Sequence, residues 1–239
     1  MEELFTASNF TALLALSGLE IVLGIDNIVM IAILVQRLPK EQQRKAQLIG
    51  LGLAMGFRIL LLLTIRWIMF LTEPLFSIAG KDFSGKDLIL FAGGLFLIWK
   101  ATKEIHKEVA HETDTEAAKR ADKRASFASV ISTIVLVDLV FSLDSVITAV
   151  GMSNSIPVMI TAVVIAVIVM MIFTESVSNF IAKHPTFKML ALSFLNLIGV
   201  LLLSEAFGMH FDRGYVYFAM GFSFFVEVLN MRIRKRKTS

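Results

Sequence analysis

Long apolar runs, separated by short stretches that carry charges and prolines, cover most of this chain of 239 residues. Such runs predict membrane-spanning helices, because about 20 apolar residues in a helix cross the hydrocarbon layer of a bilayer. The composition agrees, with 56% hydrophobic and only 18% charged residues. We therefore expect an all-α polytopic membrane protein with about seven transmembrane helices in a lipid bilayer. The predicted segments are approximately 9–35, 46–72, 87–101, 126–150, 157–180, 187–208 and 214–231.

The lysines and arginines predict how the chain is oriented. Of the 23 such residues, eighteen fall in connections or a tail that alternate spans place on one side, and three fall on the other. Basic loops stay in the cytoplasm, so the N-terminus is expected outside and the C-terminus inside. Topology thus explains the net charge of +3, and we expect no nucleic-acid partner. The N-terminal residues show no basic stretch before the first apolar run, so we expect no cleaved signal peptide.

Two of the predicted spans carry carboxylates in their middle. They are "LEIVLGIDNIVMIAIL" (residues 19–34) and "VDLVFSLDSVITAV" (residues 137–150). A charge at the bilayer centre costs roughly 2.5–3.5 kcal/mol, so four carboxylates cost on the order of 10 kcal/mol. A cation or protons would offset that cost, and these residues are therefore predicted to bind a permeating cation. The candidate ligands are Glu20, Asp26, Asn27, Asp138, Asp144 and Ser145.

The same two segments indicate an internal repeat. They match as acid, x, Val, x, small, aliphatic, Asp, polar, at an offset of 118 residues, and "TE" at 72–73 recurs at 174–175. Copies with three spans each must lie upside down relative to one another, as in secondary transporters, whose sites lie at the midplane between repeats. We expect one transporter domain over 1–239. Its predicted parts are repeat 1 (about 9–101), a charged cytoplasmic loop (about 102–125), repeat 2 (about 126–208) and an extra helix (about 214–231).

An alternative is that arginines neutralise the acids. Arg58 and Arg66 lie in the second segment, but two arginines do not balance four carboxylates, although one of them could pair with a site residue. The spacing adds a second expectation. Residues six apart are rotated by about 240° on a helix, so we expect the helices to be broken or bulged near Gly24 and Ser142, which would turn the acids inward.

The ligand atoms that these residues offer limit which metal ion could bind. Carboxylate, amide, hydroxyl and backbone oxygens suit Mg²⁺, Ca²⁺ or Mn²⁺, and the chain has no cysteine to supply thiolates. Export of a divalent cation against an inside-negative potential costs about 4.6 kcal/mol per 100 mV, so it needs coupling, most simply to protons. We expect no prosthetic group. Glu73 and its repeat counterpart Glu175 are candidate entrance or gating residues.

The acid motifs resemble the TerC family of integral membrane proteins, as do "GGLFLIWKATKEIH", "HPTFKMLALSFLNLIGVLLL" and "GYVYFAMGFSFFVEVLN". The resemblance spans nearly the whole chain. It implies a manganese exporter of the bacterial inner membrane, grouped with the LysE-like transporters, and it implies that the acid motif positions form the site. Asn196 stands where an aliphatic residue is usual, and it is either a further oxygen ligand or a polar contact between helices. Glu205 and Glu227 are expected to be structural or to line a vestibule, and not to be direct ligands.

Other functions compete with transport. An intramembrane aspartyl protease also uses two buried aspartates, but its glycine-x-glycine-aspartate motif is missing, so we expect no enzyme activity. A non-transporting metal sensor or assembly factor could bind partner proteins through the charged loop. The loop could also hold metal itself, although charge pairs along a solvated helix explain the same residues. Those residues are His106, His111, Glu104, Glu108, Glu112 and Asp114. The sequence leaves the oligomeric state open between monomer and homodimer.

Overall fold

A computed structural model of the chain describes residues 7–78, 80–111, 126–153, 155–209, 211 and 213–238. These residues form eight α-helices and one two-stranded hairpin. The elements are α1 (Ala7–Val35), α2 (Lys40–Leu63), α3 (Ile65–Phe70), β1 (Pro74–Ile78), β2 (Lys81–Ser84), α4 (Gly85–His111), α5 (Phe127–Met152), α6 (Ile156–Lys183), α7 (Pro185–Ala206) and α8 (Arg213–Thr238).

Six helices in the described part of the chain are long and apolar enough to cross a membrane, judged by length and composition: α1, α2, α5, α6, α7 and α8. The prediction of a polytopic helical membrane protein is thus confirmed. The third of the seven predicted spans lies in α4, which is not among the six. Its uncharged stretch runs from Leu88 to Trp99, between Asp87 and Lys100, and these flanking charges set it apart from the six.

The β-hairpin was not expected from the sequence. Strand β1 pairs antiparallel with β2, and Ile78 lies opposite Lys81. Gly80 has a φ of 80° in the tight turn between them, a backbone conformation that glycine adopts without steric cost. The Phe76 and Phe83 rings stack with centroids 5.5 Å apart. The predicted span 46–72 therefore ends in the short helix α3 and is followed directly by this hairpin.

The predicted breaks in the two acid-bearing helices are wrong. Helix α1 is continuous through Gly24, and α5 is continuous through Ser142. Both small residues have another role. A Cβ on Gly24 would lie 2.5 Å from the Sδ of Met170, so glycine makes room for that side chain. Ser142 Oγ donates a hydrogen bond of 3.0 Å to Asp138 Oδ2, one turn earlier on α5.

The chain divides into two compact units. The first comprises 1–89 and 123–180 and contains α1, α2, α5 and most of α6. In it α2 packs along α5, and α1 packs against both. Gly50 of α2 allows the side chain of Ile134 to approach, since a Cβ on this glycine would lie 3.0 Å from Ile134 Cγ2.

The second unit comprises 90–122 and 181–239 and contains most of α4 together with α7 and α8. Helices α4 and α7 meet through Gly94 and Gly199. A Cβ on Gly94 would lie 2.8 Å from the carbonyl oxygen of Gly199. Helix α4 continues to His111, so the first part of the predicted charged loop, residues 102–111, belongs to this helix. Residues 112–125 lie outside the described residues. The inverted repeat and the orientation in the membrane stay predictions.

Candidate functional site

Arg58 of α2 forms a buried ion-pair network with one acid from each of two neighbouring helices. Its Nη1 donates to Oε2 of Glu20 on α1 at 2.5 Å. Its Nε and Nη2 donate to the two oxygens of Asp138 on α5, at 3.1 and 2.7 Å. The three residues are only 2–4% exposed. Arg58 is thus the residue that joins the two predicted acid motifs.

Asp138 accepts further hydrogen bonds from its surroundings. The Nδ2 of Asn27 donates to Asp138 Oδ1 at 3.1 Å, and Ser142 Oγ donates to Oδ2. Charge-assisted bonds of this kind are stronger than those between neutral groups, and the two parallel bonds from a guanidinium also fix its geometry. We call Glu20, Asn27, Arg58, Asp138 and Ser142 the carboxylate–arginine cluster.

The helical spacing of these residues explains why they meet. On α1, Ser17, Glu20, Gly24 and Asn27 recur every three or four residues and therefore lie on one face. On α5 the same spacing places Asp138, Ser142 and Ser145 on one face. All seven residues are buried. Each helix thus presents a polar stripe toward its neighbours instead of toward lipid.

The cluster carries an excess of negative charge when both acids are ionised, since two carboxylates face one guanidinium. Removing ions from water costs several kcal/mol per ion even after relaxation, and pairing offsets that cost only where the geometry is good. Asp138, held by two guanidinium nitrogens, an amide and a hydroxyl, is well compensated. Glu20 accepts a hydrogen bond from one guanidinium nitrogen. The negative charge that the cluster leaves uncompensated is therefore mainly that of Glu20.

Three buried side-chain oxygens on α1 and α2, two of the helices that form this cluster, lack a hydrogen-bond partner among the described residues. They are Ser17 Oγ, Asn27 Oδ1 and Gln47 Oε1. Ser17 and Asn27 share the polar face of α1, and Gln47 lies on α2, three turns before Arg58. A buried polar atom without a partner is uncommon and costs free energy. Each of these oxygens is able to accept a hydrogen bond from water or to coordinate a cation.

Three of the six predicted ligands lie in the cluster. Glu20, Asn27 and Asp138 meet in the cluster, and Ser145 is buried on α5, where its Oγ donates to the carbonyl oxygen of Ser142 at 3.3 Å. Asp26 is half-buried beside Asn27. The side chain of Asp144 lies outside the described residues.

A ready-made metal site is absent from the described residues, where no group of three His, Asp or Glu side chains is placed to hold a metal ion. One physical reason lies in the cluster, where the guanidinium of Arg58 takes oxygens of both Glu20 and Asp138. The pairing of acids with arginine that the alternative expected is thus present for Glu20 and Asp138, although one guanidinium balances only one of the two charges. The side chain of Arg66 lies outside the described residues.

The candidate gating residues lie apart in the fold. Glu73 is exposed in the turn between α3 and β1. Glu175 is exposed on α6, where its Oε2 lies 3.4 Å from Nε of Arg44, and Arg44 Nη1 also donates to the carbonyl oxygen of Met171 at 3.1 Å. Asn196 lies on α7 in the second unit, and its Oδ1 is buried with no partner among the described residues.

The charged extension of α4 forms ion pairs. Glu108 Oε2 lies 2.5 Å from Lys188 Nζ, and Glu104 lies 3.7 Å from Lys107 one turn away. These contacts favour the interpretation of the segment as a helix with charge pairs. Glu112 and Asp114, which the alternative metal patch would need, lie outside the described residues.

Sequence reasoning missed two polar residues of the first unit and underrated a third. Ser17 and Gln47 were not singled out, although Ser17 interrupts an apolar run on the polar face of α1 and Gln47 lies just after the charged start of α2. Arg58 was a secondary candidate and is the centre of the cluster. Met170, which fills the space beside Gly24, gave no signal in the sequence because its contact is set by helix packing.

Comparison with known proteins gives a consistent picture. A family model described as "Integral membrane protein TerC family" matches residues 5–239. A "UPF0053 protein" of Haemophilus influenzae is 50% identical over 94% of both chains. The "UPF0053 inner membrane protein YgdQ" of Escherichia coli is 51% identical over 95% of this chain and 93% of its own. The "UPF0053 inner membrane protein YoaE" of the same species is 48% identical over 98% of this chain, which spans only 45% of that longer protein. No solved structure matches the chain.

Proposed function

The chain belongs to the TerC family of integral membrane proteins and is a multi-pass inner membrane protein, and from that premise we propose that it transports a divalent cation, manganese, out of the bacterial cell. The observation that carries the proposal is the meeting of Glu20 and Asp138, from α1 and α5, at one buried point. Acids inside membrane spans are costly, and by default they indicate a functional site such as an ion pathway.

The donors near this point suit a hard cation. Glu20 and Asp138 supply carboxylate oxygens, and Asn27 supplies an amide oxygen that has no partner among the described residues. Oxygen ligands of this kind bind Mg²⁺, Ca²⁺ or Mn²⁺. The choice of manganese rests on the family resemblance. A bound cation would also compensate the excess negative charge of the cluster.

Asp26 and Asp144 extend the proposed route. Each lies six residues beyond a cluster acid, about 9 Å along a helix axis. If α1 and α5 cross the membrane in opposite directions, as the inverted repeat predicts, the two aspartates lie on opposite sides of the cluster. A cation would then pass from one aspartate to the cluster and on to the other. Ser145 and Asn196 stay candidate ligands, and Glu73 and Glu175 stay candidate gates.

Coupling to protons is part of the proposal. Moving a doubly charged ion outward against an inside-negative potential costs about 4.6 kcal/mol per 100 mV. Carboxylates along the route, such as Asp26 and Asp144, can take up protons after the cation leaves, so proton entry on these groups supplies a driving force. The mechanism is therefore exchange of a divalent cation for protons.

Flux measurements test the proposal directly. The purified chain in proteoliposomes with an imposed pH gradient is expected to move Mn²⁺, and Asp26→Asn and Asp144→Asn are each expected to abolish that flux while the protein stays folded. Glu227→Gln is the matched control, because Glu227 lies on α8, where it contacts Asn230 at 3.3 Å, and it is expected to keep the parent rate. Parent rates in both aspartate variants would contradict the proposed route. Manganese binding without flux in the parent protein would favour the non-transporting sensor or assembly factor.

A further inference from the structure

The guanidinium of Arg58 takes the same oxygens that the proposed function assigns to the transported cation. Glu20 Oε2 and both oxygens of Asp138 accept hydrogen bonds from it. The bonds come from three different nitrogens of one side chain, and that side chain is 3% exposed. Arg58 therefore binds the carboxylates as a positive ion would, at ligand-like distances and from a fixed anchor on α2.

A divalent cation and the guanidinium compete for these oxygens. A bound Mg²⁺, Ca²⁺ or Mn²⁺ lies about 2.0–2.6 Å from its oxygens, and the guanidinium nitrogens lie 2.5–3.1 Å from theirs. Both positive groups would occupy one small space, and their repulsion is strong at such distances in a buried site. Binding of the cation is therefore favoured when Arg58 withdraws from at least one carboxylate.

We propose that Arg58 is a tethered competing cation, which occupies the Glu20 and Asp138 carboxylates whenever the transported ion does not. This inference rests on the proposed function and adds a role to it. When the metal leaves, Arg58 returns, so two unpaired carboxylates are never left buried together, a state that would be strongly unfavourable. The protein can therefore change conformation without cargo. The competition also weakens metal binding, which favours release on the far side.

The competition has a predictable size. The apparent dissociation constant of a ligand rises in inverse proportion to the fraction of protein that is competent to bind it. If Arg58 holds the carboxylates in all but about one molecule in a hundred, its removal tightens binding about 100-fold. We expect Arg58→Gln to bind Mn²⁺ at least about tenfold more tightly than the parent protein.

The experiment measures Mn²⁺ affinity and Mn²⁺ flux on the full chain. Affinity follows from thermal unfolding in detergent as a function of Mn²⁺ concentration, since a ligand of the folded state raises stability with its concentration. In proteoliposomes, Arg58→Gln is expected to lower the KM for Mn²⁺ and also the maximal rate, because release becomes slow and the cargo-free protein resets poorly. A purely structural role would lower stability and leave the metal affinity unchanged.

Two further variants keep the test decisive. Glu20→Gln combined with Arg58→Gln keeps the net charge of the cluster but removes one carboxylate ligand, so it is expected to bind Mn²⁺ more weakly than Arg58→Gln alone. Arg58→Lys keeps the positive charge without the planar fork that holds both acids. It is expected to bind Mn²⁺ more tightly than the parent and less tightly than Arg58→Gln, and it decides the question if Arg58→Gln does not fold.

The outcomes separate the two proposals. If the parent protein neither gains stability from Mn²⁺ nor transports it, the proposed function fails and this inference falls with it. If the parent binds and transports Mn²⁺ but the Arg58 variants that fold bind it equally or more weakly, only the role of Arg58 as a competing cation is overturned.

Discussion

Arg58 and Asp138 form a bidentate ion pair in the interior of the first unit. Nε of Arg58 lies 3.1 Å from Oδ2, and Nη2 lies 2.7 Å from Oδ1. Eighty residues of chain separate them, so the pair fixes α2 against α5. The bond from Arg58 to Glu20 adds α1 to the same contact. Stability therefore depends on the same side chains that the proposed function assigns to metal binding.

The two acids of the cluster are expected to differ in their contribution to stability. Asp138→Asn removes the charge that faces two guanidinium nitrogens, and we expect it to lower the free energy of unfolding by roughly 3–5 kcal/mol. Glu20→Gln keeps an oxygen that can accept from Arg58 and removes the excess negative charge, so we expect a loss of about 1 kcal/mol or less. Unfolding of both variants in detergent without added metal gives the comparison. Equal losses would contradict the unequal compensation of the two acids.

Three glycines are expected to respond differently to alanine. In Gly94→Ala the new Cβ would meet backbone atoms, 2.8 Å from the Gly199 oxygen and 3.0 Å from the Leu203 nitrogen. Helices α4 and α7 must then move apart, at a cost of roughly 1–3 kcal/mol. In Gly24→Ala the Cβ meets the flexible side chain of Met170, so the loss should be smaller.

Two additional variants control this comparison. Met170→Ala in the Gly24→Ala background removes the steric conflict and is expected to reduce the effect of the alanine. Gly56→Ala serves as the neutral reference, because, its chain neighbours and own helix backbone aside, no atom of the described residues lies within 4 Å of the added Cβ. Thermal unfolding of the series should therefore rank Gly94→Ala as the most harmful. A larger loss in Gly56→Ala than in Gly94→Ala would contradict the packing described for α4 and α7.

Divalent ions are expected to stabilise the folded protein in a selective manner. At a free concentration of about 100 times the dissociation constant, a bound ion raises the free energy of unfolding by about 2.7 kcal/mol. Mn²⁺ should act at lower concentration than Mg²⁺, because Mg²⁺ loses its water reluctantly. A panel of divalent ions in thermal unfolding measures this, with Asp138→Asn as the variant expected to lose the effect. No stabilisation by any ion of the panel would argue against a cation site.

Uphill manganese flux is expected to depend on the pH gradient. Dissipating the gradient with an ionophore should stop net accumulation of Mn²⁺ in proteoliposomes, since no other driving force offsets the electrical cost of moving two charges. The measurement is radiotracer or dye-reported Mn²⁺ uptake before and after the ionophore is added. Unchanged uphill flux would exclude proton exchange and would leave the cation site itself untouched.

The Arg44 and Glu175 pair is expected to contribute little to stability. Its atoms are 3.4 Å apart, and the side chains are 43% and 58% exposed, a situation in which ion pairs contribute about 0–1 kcal/mol. Glu175→Gln should therefore unfold within about 1 kcal/mol of the parent. If this variant keeps its stability, a change of its Mn²⁺ flux would indicate a role of Glu175 in gating and not a folding defect. A stability loss of several kcal/mol would show that the pair holds α2 to α6.

Much of this protein is determined by the sequence alone. The apolar runs specify a polytopic helical membrane protein, because the cost of placing polar residues in lipid acts on each segment separately. The same local cost marks Glu20 and Asp138 as exceptional residues and makes Arg58 a possible partner. The long helices α1 and α5 follow from the same reasoning.

The tertiary structure decided which of these groups meet. Arg58 binds Glu20 and Asp138 across 38 and 80 residues of chain, and such pairing depends on the register between helices. That register is set by close packing, such as Met170 against Gly24 and Ile134 against Gly50, which no local pattern encodes. For the same reason the sequence suggested breaks at Gly24 and Ser142, whereas contacts between helices and within α5 explain both residues without a break.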